Sequence, residues 1–117
     1  MNRIFKIGIL NTANGKVVKE VIIKDTIYTW EKELLVKKVL DSAEKVSRWF
    51  DDKDTFFSGK KLWEHWKALG MMENRIKALV SGESLGNLVC ESISVFPKDG
   101  GRGVGYEFYV ERIDERR

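Results

Sequence analysis

An Asn-Gly pair set between two runs of β-branched residues constrains this chain more than any other feature. Asn14-Gly15 stands between RIFKIGIL (3–10) and KVVKEVIIKD (16–25), and such a pair supplies the two positive-φ positions that a type I′ hairpin turn requires. The spacing predicts an antiparallel hairpin at the N-terminal end. Phe5, Ile7 and Ile9 fall on one face of its first strand, and Val17, Lys19, Val21 and Ile23 alternate along the second.

The period then changes from two to 3.6. Leu35, Val39, Ala43, Val46 and Phe50 recur at helical spacing, and Leu34, Val36, Leu40 and Trp49 widen the stripe. This predicts a long amphipathic helix over 30–50, with Thr29 as N-cap and Glu31 and Glu33 in the first turn, where the helix dipole favours anions. Asp41/Lys45 and Glu44/Arg48 are read as i,i+4 pairs on its polar side. DDKDTFFSG (51–59) breaks the pattern as a loop, and Ser58 is placed to cap a second helical stretch. Gly70 lies in the middle of that stretch, where glycine costs a helix about 1 kcal/mol, so two short helices or one kinked helix are expected. LVCESISVF and VGYEFYVERI read as two further strands joined across PKDGGRG (97–103). The expected fold class is α+β: two antiparallel β-hairpins, N- and C-terminal, packed against two or three central helices in the order ββ-α-α(α)-ββ. With 117 residues, one domain spanning 1–117 is expected, long enough for its own core.

Composition narrows the function classes. Cys90 is the single cysteine, so no disulfide forms within the chain, and a reducing, cytoplasmic setting is expected. No run approaches the roughly 18 apolar residues of a membrane span, and the N-terminal segment lacks the long apolar region of a secretory signal. The formal charge of +3 is unevenly spread: residues 1–24 carry five basic groups against one acidic, and residues 59–82 five against two, while the other stretches are net acidic. That asymmetry favours a basic face.

No residue set points to catalysis. His65, the one histidine, has no second histidine or cysteine at ligand spacing, and general base work needs a positioned partner. Asp51, Asp52 and Asp54 lack the glycine and distal glutamate of a calcium loop. The glycines of GGRGVG precede a strand, whereas a phosphate cradle opens a helix. A non-enzymatic protein without cofactor or metal is expected.

Two short resemblances bear on binding. RGVGYEFY (102–109) resembles the RNP1 octamer of RNA-recognition motifs through Arg102, Gly103, Gly105, Tyr106 and Tyr109. Val104 and Glu107 depart from that pattern, and the family's β-α-β-β-α-β order differs from the one read here. HWKALGMMENRIKALVSG (65–82) is similar in spacing to the helix-turn-helix of bacterial repressors, with Gly70 at the turn and Met71, Ile76 and Leu79 at packing offsets. A following hairpin tipped by Lys98 and Arg102 implies a winged-helix layout. Trp66 stands where that motif has a small residue, and Met72 and Glu73 stand in place of its usual Ser or Thr cap.

Three readings follow. The first is a small regulatory protein that binds DNA or RNA through a basic face and the 97–105 loop, using Lys60, Lys61, Lys67, Asn74, Arg75, Lys77, Lys98, Arg102 and Tyr106. The second is a protein-interaction module or inhibitor, of the kind viruses and mobile elements make, that occludes a partner protein with Trp63 and Trp66. The third is a small-ligand-binding homo-oligomer that uses Trp30 and Trp49.

Overall fold

Asn11 and Lys16 close the first hairpin, and the loop between them is longer than a two-residue turn. The computed structural model describes residues 2–26, 31–50, 55, 57–82 and 86–115. In it the Asn11 amide donates to the Lys16 carbonyl at 2.9 Å and the Gly15 amide to the Asn11 carbonyl at 2.9 Å. The chain thus makes one helix-like turn over Thr12–Asn14 and leaves it through Gly15 at φ 71°, so the type I′ turn expected at Asn14-Gly15 is not formed. Side-chain oxygens favour the longer loop: Asn11 Oδ1 accepts from the Ala13 amide and Asn14 Oδ1 from the Lys16 amide, each at 2.9 Å.

The hairpin consists of β1 (Asn2–Asn11) and β2 (Val17–Thr26). Their register shifts after Ile9↔Lys19 to Leu10↔Val17, a bulge that moves one residue across the sheet. Lys19, Val21 and Ile23 therefore lie on the face of Phe5, Ile7 and Ile9, while Val17 joins the opposite face beside Leu10. The alternation expected for Val17 fails at this bulge.

Helix α1 (Lys32–Trp49) follows, then α2 (Gly59–Leu69), α3 (Met71–Ser81), β3 (Leu88–Val95) and β4 (Val104–Glu115). All strand pairings are antiparallel and the order across the sheet is β2-β1-β4-β3. The two hairpins thus share one sheet, joined along β1 and β4 from Asn2↔Glu115 to Asn11↔Tyr106, and the fold is α+β as expected. The helices cover one face. Phe5, Ile7, Ile9, Phe108, Val110, Val89 and Ile93 are buried there with Leu35, Val39, Ala43 and Val46 of α1 and Ile76 and Leu79 of α3. Each of these side chains other than Ala43 contributes roughly 1.5–3 kcal/mol when fully buried.

Glu31 occupies the N-cap of α1 without a side-chain bond, and Thr29 and Trp30 lie outside the described residues. Of the two ion pairs expected along α1, Glu44–Arg48 forms at 3.2 Å, while Asp41 approaches Lys37 at 3.9 Å. Ser58 caps α2 by accepting from the Lys61 amide at 3.3 Å. Gly70, at φ 68°, is at once the C-cap of α2 and the N-cap of α3, so the stretch forms two helices with a one-residue joint.

Three polar devices tie these layers together. Arg3 and Asp25, cross-strand partners on the covered face, form an ion pair whose carboxylate is fully buried. Arg112 reaches from β4 to the end of α3, donating to the carbonyls of Leu79 at 3.1 Å and Val80 at 2.5 Å. It thereby satisfies carbonyls that a helix end leaves open and sets a cation against the negative end of the dipole. Ser47 Oγ of α1 donates to the Gly59 carbonyl at 2.9 Å, and the two backbones approach so closely that a methyl group on Gly59 would run into the Ser47 carbonyl.

Two expectations follow. Asp25→Ala should lower the unfolding free energy by about 3–5 kcal/mol, because a buried guanidinium loses its partner; denaturant melts of the variant and of an R3M/D25L double variant, which should recover much of the loss, test this. Gly59→Ala should destabilise by about 1–3 kcal/mol through the forced contact with Ser47, although alanine is the better helix former. A melting temperature at or above that of the parent would contradict it.

Candidate functional site

At one end of the molecule four segments converge. The β3–β4 loop meets the stretch after α1 through a bridge between Thr55 and Pro97. The tip of the first hairpin joins β4 through the Thr12 amide, which donates to the Gly105 carbonyl at 3.1 Å. Between them opens a cleft of about 420 Å³ lined by Trp49, Phe50, Thr55, Val95, Pro97, Val104 and Tyr106. Its floor is set by aromatic packing: Phe50 meets Tyr106 edge-on at a centroid distance of 4.5 Å and Phe57 at 5.1 Å. Trp49 forms a wall and stays 50% exposed, with the Lys19 ammonium 5.4 Å from its ring centroid.

The helical stripe explains this wall. Trp49 follows the last buried positions of α1, Val46 and Ser47, and lies at the edge of the stripe where the helix runs out beyond the core. Lys19 is the one charged residue among the inward positions of β2 between Val21 and the turn, and it projects beneath α1. In the sequence, Lys19 interrupting an apolar alternation was the available signal, but only the helix packed above it gives the lysine a partner.

The expected nucleic-acid residues separate into two groups. Lys98 and Arg102 are exposed on the loop whose Pro97 and Val104 line the cleft, and Tyr106 is half-buried in its floor. Lys60 and Lys61 are exposed in the first turn of α2, beside Gly59, which lies against Ser47 and Phe50. These five residues therefore belong to one end of the molecule. The loop is held in shape by the Gly100 amide donating to the Pro97 carbonyl at 3.3 Å and the Gly101 amide to Asp99 Oδ1 at 3.0 Å.

The second group lies elsewhere. Asn74 and Lys77 line a groove of about 740 Å³ between α3 and the N-terminal half of α1, shared with Lys32, Glu33, Lys37, Asp41 and Glu73. Charges of both signs mix there, and Lys77 is 3.4 Å from Glu73. Arg75 is ion-paired with Glu91 and donates to the Cys90 carbonyl at 3.1 Å, so it ties α3 to β3. Lys67 is exposed near the end of α2. From Lys37 beside the groove to Phe50 beside the cleft is about 20 Å along α1 at 1.5 Å per residue. The Lys98/Arg102 tip and the α3 residues thus do not share a surface as the winged-helix comparison implies.

Trp63 is buried at 7% exposure and belongs to the core. Trp66 is half-buried, with its ring 6.2 Å from Trp63 and 5.3 Å from Phe108. As a pair they join α2 to the sheet, and Trp63 offers no surface to a partner. His65 is exposed, and among the described residues no three His, Cys, Asp or Glu side chains are arranged to hold a metal ion. Asp51, Asp52, Asp54 and Trp30 fall outside the described residues. No helix among the described residues is long and apolar enough to cross a membrane.

On the face of the sheet away from the helices, Tyr109 lies over Gly8, where a Cβ would meet the phenol oxygen at 2.5 Å. The ring thereby crosses β1 and donates to Glu20 Oε2 on β2 at 2.5 Å. Burial, together with the bond to Glu20 and the nearby charges of Glu20 and Glu111, pushes the phenol well above its ordinary value near 10.

No protein-family model, no curated protein and no solved structure matches this chain.

A raised phenol pKa means that the folded state holds its proton more tightly than the unfolded chain does. The resulting stability is complete below the ordinary tyrosine pKa and is lost as pH rises above it. The stability difference between the parent protein and Tyr109→Phe should accordingly shrink between pH 9 and the alkaline limit of folding, as read by urea melts at stepped pH. A difference that stays constant across that range would contradict the assignment.

Proposed function

We propose that the protein binds single-stranded nucleic acid at the end cleft, with Trp49 and Tyr106 receiving a base and Lys19, Lys98 and Arg102 meeting the backbone. The observation that carries this reading is the half-exposed Trp49 ring, flanked by the Lys19 ammonium at 5.4 Å and facing a loop that bears two cations. An aromatic platform beside positive charge is the combination that binds unpaired bases with little sequence preference. The cleft is of a size for one base or one large side chain, so a flipped or unpaired nucleotide fits it better than a duplex groove does. Lys60 and Lys61 extend the positive charge along the same end.

A second reading has its own observation. Phe96 is 57% exposed, with its ring against Gly103, and Trp49 and Val104 are exposed beside the cleft. Apolar side chains grouped in this way favour a partner protein. The two readings differ in their response to salt, since phosphate contacts release counterions and apolar ones do not.

Fluorescence anisotropy with labelled single- and double-stranded DNA and RNA, at low and moderate salt, separates them. Single strands should bind best, Trp49→Ala should weaken binding by about 1–3 kcal/mol, and a K98A/R102A variant should flatten the salt dependence by about two phosphate contacts. Absence of binding to all four probes at low salt would sink the nucleic-acid reading and leave the protein-partner reading in its place.

A further inference from the structure

The face of the sheet opposite the helices carries a pattern that repeats when the sheet is turned over upon itself. Reading across the strands at one level, the ladder sets Ile22 of β2, Lys6 of β1, Glu111 of β4 and Leu88 of β3 side by side. The outer two are exposed, Ile22 at 58% and Leu88 at 48%, and the inner two are half-exposed. Lys6 and Lys24 of this face lie on the β1–β2 half together with Glu20, whose carboxylate accepts from Tyr109, whereas Glu107 and Glu111 lie on the β4–β3 half.

A two-fold axis parallel to the strands and midway between β1 and β4 superposes each half of one sheet on the other half of a second copy. The row then meets its own reverse: Ile22 faces Leu88, and Lys6 faces Glu111, twice over. One level further along, Ile4 and Ile113, cross-strand partners on β1 and β4, face one another in the same way. The central rows lie closest to the axis, so the roughly 30° rotation between stacked sheets displaces them least.

We infer that this face is a self-association surface, and that two copies of the chain stack sheet on sheet about that axis. The available area supports it. Four strands about 4.8 Å apart and about 34 Å long present roughly 650 Å² per copy, or roughly 1,300 Å² in total, within the range of specific interfaces. Open sheets of mixed apolar and charged character are otherwise left half-wet; here the Ile22, Lys6, Glu111 and Leu88 row and the Ile4/Ile113 pair find complements in a second copy, while Leu10 meets Glu107 nearer the hairpin tip. The interface uses neither the end cleft nor its loop, and it is independent of what the cleft binds.

Sedimentation equilibrium of the full chain up to roughly 100 μM should give a dimer. Lys6→Glu and Glu111→Lys should each weaken it by at least roughly tenfold, because either change sets like charges opposite one another at two symmetric places. Mixing the two variants is the decisive arm. A K6E copy presents carboxylates at both inner positions and an E111K copy presents ammonium groups at both, so the mixture should form a heterodimer more tightly than either variant self-associates. Leu88→Glu, at an exposed position of the edge strand, should dissociate the parent dimer, with circular dichroism confirming an intact fold. A monomeric parent at the highest concentration overturns the inference. So does a dimer that survives L88E, or a mixture of K6E and E111K that remains monomeric.

Discussion

The pairing of β1 with β4 is the constraint on which the rest of the structure depends. It joins the second residue to the 115th and runs without interruption to Asn11↔Tyr106. Without it the chain would be two separate hairpins, each too small to hold an apolar face against water. With it, Phe5, Ile7, Ile9, Phe108 and Val110 become one continuous surface, and the helices between the hairpins have a single place to bury their stripes. A ladder closed across nearly the full length of the chain also predicts slow folding relative to helical proteins of this size, because loop closure must precede the contacts that stabilise it.

Polar groups on the covered face act at the margins of this surface rather than within it. Arg3–Asp25 closes one end of the sheet on its covered face, and Arg112 fastens the end of α3. At the other end no comparable ion pair closes the layer among the described residues. There the chain substitutes aromatic contacts, with Phe50 held between Phe57 and Tyr106 and Trp49 left half in solvent. An aromatic rim can admit a ligand without breaking a buried charge pair, which makes this the end where binding costs the fold least.

Elements with strong periodicity were legible in the sequence. The stripe of Leu35, Val39, Ala43 and Val46 gave α1, Ser58 and Gly70 marked both ends of α2, and alternation gave all four strands. Side-chain placement within them was less legible. Val17 reads as inward by alternation, yet a bulge turns it outward, because the hairpin loop adds residues that simple alternation cannot count. Lys60, Lys61, Lys98, Arg102 and Tyr106 were legible as candidates by type. Their assembly at one end, and the separate placement of Asn74, Arg75 and Lys77, required the strand order, which no local pattern encodes. Trp63 and Trp66 looked alike by spacing, but α2 turns Trp63 into the core and leaves Trp66 at its edge.

Because Asn2 and Glu115 are antiparallel neighbours, the beginning of β1 and the end of β4 lie side by side at the same end of the sheet's two central strands. A pulling force applied there would load the central ladder one hydrogen bond at a time, as in opening a zipper, instead of shearing all its bonds together. The ladder that joins the two hairpins is thus loaded in the unzipping direction. A force that draws those two strand ends apart would open the core down its middle.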